Sequence, residues 1–315
     1  MNIYEIARRA GVSIATVSRV INNSPNVKEA TRDKVRAVLD ELNYTPNAIA
    51  RSLAINSTRT IGVLTSDVRD SYYASAVYTI EQELRGLGYN VILCNTGGVL
   101  EKKKQYMRIL LEKKIDGMIL VGSVFKEKND NSHILRVAEK VPVVMLNSHL
   151  EGENIYSVVC DDSSAVRQVV QSLYQRGHRD IVYVYDVESF SGLAKQEGFK
   201  IGIKDYGLSP EPDSILQTES GLAGGIAAIE RLEARGARYT ALAASEDVLA
   251  AGMLKGLANI GKSAPRDKAV FGYNNSILAL STTPELSSVD KRLKQWPKNQ
   301  PLFCVMHCRT AARRP

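Results

Sequence analysis

The sequence predicts an α/β protein in which an all-α segment of three short helices precedes a larger core of doubly wound parallel sheets. In residues 1–45, apolar side chains recur at the spacing of amphipathic helices. From residue 59 to residue 290, short apolar runs alternate with helical patterns that end at glycines, which is typical of β-α-β units. These units are too numerous for one sheet, so we expect two lobes, with a cleft where the carboxyl ends of the strands meet.

The composition is that of a globular protein of two or three domains. The chain has 315 residues, of which 44% are hydrophobic and 24% are charged. No apolar run reaches the length that spans a bilayer, and the N-terminus lacks the pattern of a signal peptide. Cys94 and Cys160 lie in apolar runs and are expected to be buried strand thiols. We therefore expect a cytoplasmic protein without membrane contact.

Positive charge is concentrated at the two ends of the chain. The formal net charge is +7, and residues 1–59 carry nine Lys or Arg against five Asp or Glu. Residues 291–315 carry seven Lys or Arg and no acidic residue. The region between these segments is net acidic, so a nucleic-acid hypothesis based on charge depends on the N-terminal segment.

Three helices are predicted in residues 1–45. The first ends at Gly11, and Ser13 is placed to cap the second. The apolar faces of the three helices consist of Ile3, Ile6, Ala7 and Ala10; of Val17, Val20 and Ile21; and, in a helix that starts near Thr31, of Val35, Val38, Leu39 and Leu42. A tight glycine turn between the first two helices is typical of a helix-turn-helix. The alternative is a small helical bundle whose charged residues are only solvated.

The exposed face of the second helix carries candidate contacts to DNA. In a helix-turn-helix, this helix enters the major groove with its N-terminus first. Arg19 is able to donate two N–H groups to guanine, whereas Ile14 and Ala15 are suited to apolar contact with a thymine methyl group. Three polar side chains suit phosphate oxygens, namely Thr16, Ser18 and Asn22. The remaining DNA-binding candidates in this segment are Tyr4, Ser13, Asn26 and Thr31.

The N-terminal run resembles the headpiece signature of the lactose-repressor (LacI/GalR) family of bacterial transcription regulators. The matching stretches, in register and without a gap, are IYEIA (3–7), AGVS (10–13), ATVSRVIN (15–22) and LNYTPNAIARSL (42–53), with Val27, Thr31, Arg32 and Val35 between them. The resemblance implies a DNA-binding headpiece over residues 1–45. It also implies a palindromic operator on double-stranded DNA and a homodimer that binds it, with a tetramer as the alternative assembly.

A hinge is predicted over residues 46–58. Thr45 is a good N-cap and Pro46 suits the first helical position, but a helix this short is marginal alone in water. The resemblance implies that two hinge helices of a dimer pair in the minor groove, where Leu53 wedges between base pairs and bends the duplex. Leu53 as a plain linker leucine is the alternative. Asn47 and Ala50 are the other candidate DNA contacts of this segment.

The core, residues 59–290, is predicted to form two lobes, about 59–160 and 161–287. The predicted strands are 61–65, 91–94, 118–121, 143–146, 158–160, 181–185, 241–244 and 269–272. One intervening helix is predicted to bury Ala76, Ile80, Leu84 and Leu87, and another Val166, Val169, Val170 and Leu173. The family resemblance implies the layout of periplasmic sugar-binding proteins, with the lobes joined by crossing strands. Asp161-Asp162 and residues 288–290 resemble those crossovers.

The resemblance also assigns candidate effector-binding residues in the cleft. They are Tyr72, Tyr73, Asn147, Phe190, Lys195, Glu246 and Asn274. Lys195 stands where the family usually has an arginine that grips sugar hydroxyls, and lysine lacks the planar fork of arginine. Glu246 is a second departure, so a common hexose effector is in doubt. The alternative for each of these residues is a solvated loop side chain.

Motifs that could carry other chemistry lack the sequence context that this chemistry needs. Residues 256–263 match G-x-x-x-x-G-K-S, but a phosphate-binding loop needs a strand before it and a helix after it, and here a helical pattern precedes. Cys304, His307 and Cys308 are metal-capable but too close together in one tail to make a strong site. No nucleophile–base constellation occurs, so neither an enzyme nor a cofactor or metal is expected.

The tail, residues 291–315, departs from the family pattern. The family continues with an amphipathic helix, whereas Pro297 and Pro301 interrupt any helix here. The hypothesis is a change of reading frame near Lys291, or an error introduced during cloning. The sequence therefore predicts a ligand-responsive DNA-binding regulator, a repressor controlled by a sugar or sugar derivative. The alternative is a small-molecule sensor whose DNA binding is impaired or lost because of the tail.

Overall fold

A computed structural model describes residues 3–21, 24–42, 57–208 and 214–291. The chain divides into two compact units, residues 1–58 and 59–315, which are described separately. Several predicted features lie outside the described residues: Asn22, Asn47, Ala50, Leu53, most of the hinge and the tail after Lys291. Within the described part, no helix is long and apolar enough to cross a membrane.

The N-terminal unit contains three helices around a small apolar core. These are α1 (Ile3–Ala10), α2 (Ile14–Ile21) and α3 (Glu29–Glu41). Ile6, Ala10, Val17 and Val35 are fully buried, and Gly11 takes the positive φ of 63° that the turn requires. The third helix begins at Glu29 rather than near Thr31, because the carbonyl of Lys28 already accepts hydrogen bonds from the amides of Thr31 and Arg32.

The first lobe of the core is a five-stranded parallel sheet with helices on both faces. Its elements are β1 (Thr60–Thr65), α4 (Ser71–Gly86), β2 (Asn90–Asn95), α5 (Leu100–Glu112), β3 (Gly117–Val121), a short 3₁₀ turn (Ser123–Phe125), α6 (Ser132–Ala138), β4 (Val143–Leu146) and β5 (Ile155–Val158). The strand order is β2-β1-β3-β4-β5. The order reverses direction between β1 and β3, and ligands bind at such points in open α/β sheets.

The second lobe repeats this arrangement. Its elements are α7 (Asp162–Gln175), β6 (Ile181–Tyr185), α8 (Phe190–Asp205), β7 (Ile215–Gln217), α9 (Gly221–Ala234), β8 (Ala241–Ala244), α10 (Asp247–Asn259), β9 (Ala269–Tyr273), α11 (Ile277–Ser281) and β10 (Ser287–Val289). The strand order is β10-β9-β8-β6-β7, again parallel throughout. The predicted pair of doubly wound sheets is therefore confirmed.

Two local predictions are corrected by the structure and a third is confirmed. The strand predicted at 158–160 lies at Ile155–Val158, so Cys160 is half-buried outside the sheet, in the connection to the second lobe. Leu87 is 41% exposed rather than buried, because α4 ends at Gly86 and Leu87 follows as its cap. The phosphate-loop match at 256–263 lies on the end of α10 and the loop after it, as expected.

Helices α9 and α10 pack with their backbones in unusually close approach. A Cβ added at Gly225 would lie 2.2 Å from the carbonyl oxygen of Leu249, and one at Gly252 would lie 2.3 Å from that of Leu222. Both clashes involve backbone atoms, which cannot move aside as a flexible side chain can. These two glycines therefore set the distance between the helices.

Gly225→Ala is expected to destabilise the second lobe by about 1–3 kcal/mol, because the helices must move apart. Circular dichroism during thermal unfolding would show a lower midpoint. Gly86→Ala is the matched control, since a Cβ there meets no atom within 4 Å and alanine favours the helix. Equal midpoints for the two variants would contradict this account of the interface.

Candidate functional site

The N-terminal unit presents α2 as an exposed, well-capped helix. The Oγ of Ser13 accepts from the amide of Thr16 at 3.1 Å and lies 2.9 Å from the Thr16 hydroxyl, which confirms Ser13 as the cap. Ile14, Ala15 and Arg19 are exposed on this helix. The face that the sequence predicts to contact DNA is therefore open to solvent at the helix N-terminus.

The other candidates of the unit lie around this face. Tyr4 is 66% exposed and shares a shallow surface hollow with Ser13 and Ile14. Thr16, Ser18 and Thr31 are half-exposed, and Asn26 is exposed. The structure thus brings Tyr4 of α1 beside the start of α2, a proximity that helix periodicity alone does not predict.

Charge pairing distinguishes Arg19 and Arg36 from three other arginines of the unit, Arg8, Arg9 and Arg32. Glu5 binds both Arg8 and Arg9, and these arginines hold the pKa of Glu5 down at about 2. Arg9 also reaches Glu41 at 3.1 Å, and Arg32 lies 3.3 Å from Glu29. Among the described residues of this unit, Arg19 has no carboxylate partner. Its guanidinium remains available for an acceptor outside the protein.

The second candidate site is a cavity between the two lobes of the core. Six of the seven candidate effector residues line it, namely Tyr72, Tyr73, Asn147, Lys195, Glu246 and Asn274. They are joined by residues that the sequence did not single out, which include Ser123, Asp186, Ser189, Ser191, Ser245 and Lys291. The cavity has a volume of about 50 Å³, enough for a few water molecules.

Strand ends and helix starts place the aromatic and amide side chains in this cavity. Asp70 caps α4 by accepting from the amides of Tyr72 at 2.7 Å and Tyr73 at 3.3 Å, which directs both residues to the cleft edge. Asn147 follows β4 and Asn274 follows β9, and both have positive φ, 61° and 102°. The Oδ1 atom of Asn147 is buried without a hydrogen-bond partner among the described residues. It is therefore an acceptor open to a ligand.

Lys195 on α8 is almost completely buried. Its Nζ donates to the carbonyl oxygen of Ser245 at 2.8 Å and lies 4.0 Å from the centre of the Tyr273 ring. Burial and, next, the nearby charge of Lys291 lower the pKa of Lys195 to about 8. The ammonium group has further N–H donors from which no described residue accepts a hydrogen bond.

Lys291 and Asp162 form a buried ion pair beside this site. Their Nζ and Oδ1 atoms are 3.4 Å apart, and each side chain is 3% exposed. Asp162 also accepts from the hydroxyls of Tyr273, at 2.5 Å, and Ser191. Burial alone would raise the pKa of Asp162, but Lys291, Lys195 and these hydrogen bonds outweigh it and lower the pKa. The carboxylate therefore remains ionised.

The carboxyl group of Glu246, at the start of α10, makes no hydrogen bond within the described part of the chain. Burial raises its pKa to about 7, although the positive charge of Lys195 opposes that shift. The carboxyl group is thus an unsatisfied acceptor when ionised and a donor when protonated.

Two contacts join the lobes across the mouth of the cavity. The hydroxyl of Ser123 in the first lobe donates to that of Ser189 in the second at 2.8 Å. The Nζ of Lys126 lies 4.8 Å from the centre of the Phe190 ring. Phe190 therefore packs against the opposite lobe rather than lining the cavity with the other six candidates.

The residues that sequence reasoning missed carry weak local signals. Lys291 was assigned to the atypical tail and Asp162 to a crossover, and each is a single charged residue at the end of a strand or the start of a helix. The serines lie in loops, where serine is common. No group of three or more metal-ligating side chains occurs among the described residues.

Two family descriptions together match most of the chain. Residues 2–47 match the bacterial regulatory proteins of the lacI family. Residues 58–296 match the periplasmic binding proteins and sugar binding domain of the LacI family. The boundary between the matches coincides with the boundary between the two compact units.

Curated relatives share a third or more of the sequence. An HTH-type transcriptional regulator of Lachnoclostridium phytofermentans is 41% identical over 296 residues, which cover 93% of this chain and 89% of the relative. Catabolite control protein A of Priestia megaterium is 34% identical over 92% of this chain and 87% of its own length. The transcriptional repressor PurR of Vibrio parahaemolyticus is 33% identical over 94% and 89%. These relatives are regulators rather than enzymes.

Solved structures share the fold. The lac repressor dimer bound to operator and the anti-inducer ONPF superposes with a TM-score of 0.86 over 99% of this chain and 94% of that chain, at 23% identity. A complex of the transcriptional regulator CelR with cellobiose gives a TM-score of 0.72 over 100% and 95%, at 24% identity.

The buried Glu246 is expected to make stability depend on pH. A carboxyl group whose pKa is raised on folding stabilises the folded state below its unfolded pKa, and this contribution is lost as pH rises through the folded pKa. For Glu246 that window runs from 4.5 to about 7. Across it, the melting temperature of the wild type should fall by a few degrees relative to Glu246→Gln.

Thermal unfolding followed by circular dichroism at several pH values measures this difference. Glu197→Gln is the control, because Glu197 is exposed on the neighbouring helix α8. A difference between wild type and Glu246→Gln that stays constant across the window would show that Glu246 does not titrate there.

Proposed function

Because this chain belongs to the LacI family of bacterial regulatory proteins, we propose that it is a dimeric repressor whose affinity for a palindromic operator is controlled by a small polyhydroxylated ligand in the interlobe cleft. The observation that carries the DNA-binding part is the exposed, capped N-terminus of α2, on which Arg19 has no carboxylate partner among the described residues. A regulator of transcription acts where the chromosome is, so we assign the protein to the cytoplasm.

We propose that α2 reads bases in the major groove. Arg19 would donate to guanine, while Ile14 and Ala15 contact thymine methyl groups. Tyr4 and Thr16 lie beside them and would bind phosphate oxygens, which position the headpiece without reading sequence. The hinge contacts of Asn47, Ala50 and Leu53, and a phosphate contact of Asn22, remain part of the proposal and lie outside the described residues.

The cleft is suited to a ligand with several hydroxyl groups. Lys195 offers unmatched donors, whereas Glu246 and the Oδ1 of Asn147 offer unmatched acceptors. A hydroxyl group both donates and accepts, so adjacent hydroxyls satisfy groups of both kinds at once. Tyr72 and Tyr73 supply apolar surface for the faces of a sugar ring. These features support a sugar or sugar derivative as the effector.

Ligand entry requires the lobes to separate. A cavity of about 50 Å³ is too small for a sugar, so the structure has a closed cleft. Opening breaks the Ser123–Ser189 hydrogen bond and the Lys126–Phe190 contact. We propose that the ligand changes the balance between closed and open lobes, and that this balance acts on operator affinity through the spacing of two subunits.

Exposed apolar side chains support a homodimer. Tyr78 and Leu93 of the first lobe are 68% and 44% exposed, and Ile277 and Leu280 of the second lobe are 65% and 59% exposed. Large side chains of this kind are disfavoured at a free surface when they cluster, and they mark protein interfaces. We propose that a second copy of the chain covers them.

A sensor without operator binding is the second candidate function. The family match ends at residue 296, before most of the basic tail of residues 291–315. If the tail results from a change of reading frame, the dimer that the operator requires is weakened while the cleft persists. Ligand binding without selection of any palindrome would favour this candidate.

Arg19→Ala is expected to relax base preference at one position of each half-site. Loss of a bidentate contact to guanine costs about 1–3 kcal/mol of discrimination. Selection of bound sequences from a randomised duplex pool, followed by sequencing, measures this preference. Arg36→Ala, on the exposed face of α3, is the control and should leave the selected sequence unchanged. An unchanged preference in Arg19→Ala would exclude Arg19 as a reader of bases.

Lys195→Met is expected to abolish ligand-induced thermal stabilisation. A panel of mono- and disaccharides would be screened by thermal unfolding, because a ligand that binds only the folded state raises the melting temperature. Lys200→Met, an exposed lysine on the same helix, should respond as the wild type does. If no sugar stabilises the wild type, or if Lys195→Met keeps the full response, a sugar effector held by Lys195 is ruled out.

A further inference from the structure

A groove on the first lobe is much larger than the cleft. It lies between α5 and α6 and has a volume of about 550 Å³, which is within the usual range for small-molecule sites. Its apolar lining includes Met107, Leu111 and Val137. None of the residues that line the interlobe cavity also lines this groove. The groove is therefore a separate surface of the same lobe.

The charges around the groove favour an anion. Its lining contains four cations, Lys104, Arg108, Arg136 and Lys140, against two carboxylates, Glu101 and Glu139. Glu101 is already paired with Lys104 at 2.9 Å. Arg136 binds only its own helix, at the carbonyl and hydroxyl of Ser132, and neither it nor Lys140 has a carboxylate partner in the described part of the chain.

A buried histidine with unsatisfied nitrogens lies in the same groove. His133 is 5% exposed, and neither its Nδ1 nor its Nε2 has a hydrogen-bond partner among the described residues. Burial lowers the pKa of His133, which favours the neutral ring. A neutral imidazole has one N–H donor, and a buried donor without an acceptor is costly. An oxygen atom of a ligand would satisfy it.

One loop connects the groove to the cleft. Residues 122–131 run from β3 to α6, and Ser123 and Val124 at its start line the interlobe cavity. Lys103 of α5, the helix that forms one side of the groove, holds this loop, since its Nζ donates to the carbonyl of Val124 and lies 2.7 Å from the Glu127 carboxylate. Asn131 completes the loop through reciprocal hydrogen bonds with the backbone of Glu127, at 2.8 and 2.9 Å.

We propose that the α5–α6 groove is a second small-molecule site, which takes an organic anion with a carboxylate or phosphate group and a small apolar body, and that its occupation restrains the loop of residues 122–131. The apolar floor takes the body of the ligand, and Arg136 and Lys140 take its charge. Because the loop also forms one wall of the cleft, the second ligand acts on the first site through a shared segment.

Phenyl phosphate is a suitable probe, with benzyl alcohol as its neutral counterpart. Ligand-observed NMR on the full chain should show phenyl phosphate binding with a dissociation constant on the order of millimolar, as expected for so small a molecule. Benzyl alcohol should bind more weakly. Arg136→Gln with Lys140→Gln should weaken phenyl phosphate binding about fivefold to tenfold. Lys102→Gln with Lys113→Gln removes the same charge from exposed positions outside the groove and should change nothing.

Hydrogen exchange locates the bound probe. Phenyl phosphate should slow amide exchange in peptides from α5, α6 and residues 122–131, and the groove variant should lose this protection. Equal loss of affinity in both double variants, equal binding of benzyl alcohol, or protection confined to the second lobe would overturn the site. Protection of the helices without the loop would overturn the coupling. The experiment needs neither DNA nor the cleft ligand, so its failure is distinct from failure of the proposed function.

Discussion

The arrangement of the core depends on a buried charge cluster where the chain crosses between its lobes. Asp162 begins the second lobe just after β5, and Lys291 follows β10, so their ion pair joins the connection between the lobes to the end of the second sheet. A buried charge without a partner is strongly destabilising, because desolvation is not offset. Tyr273 and Ser191 occupy the remaining lone pairs of the carboxylate. The connection that follows β5 is thus held against the end of β10 by groups that cannot be separated cheaply.

The same cluster shapes the ligand site. The ring of Tyr273 lies 4.0 Å from the Lys195 ammonium and 5.1 Å from that of Lys291, so one aromatic ring supports both cations. Lys291 also lies 5.0 Å from the ring of Tyr72 in the first lobe. A movement of the lobes therefore changes the surroundings of Lys291.

The DNA-binding unit is stable for a different reason. Its helices have eight, eight and thirteen residues, lengths at which an isolated helix is marginal in water. They persist because each places apolar residues in a shared core, with Ile6, Val17 and Val35 fully buried. Because the buried face of α2 holds the helix in place, the side chains on its outer face are not needed for packing. They are therefore available for recognition.

The sequence by itself determined the secondary structure, the two parallel sheets and the family. Periodicity of apolar residues and glycine helix stops are local signals, and they located most elements, from Ile3–Ala10 to Ala269–Tyr273, within about two residues. The headpiece residues matched the family in register, and residues 2–47 match its description. For the cleft, six of the seven residues that were assigned by position in the family line the cavity.

Only the tertiary structure decided which side chains share the cleft and how they are paired. Asp162 and Lys291 are 129 positions apart, and no local pattern signals that they meet. The groove around His133 likewise arises where two helices pack, α5 and α6, each of which has an ordinary amphipathic sequence. Burial and charge pairing depend on contacts between distant segments, and these contacts are properties of the packed fold rather than of any stretch of chain.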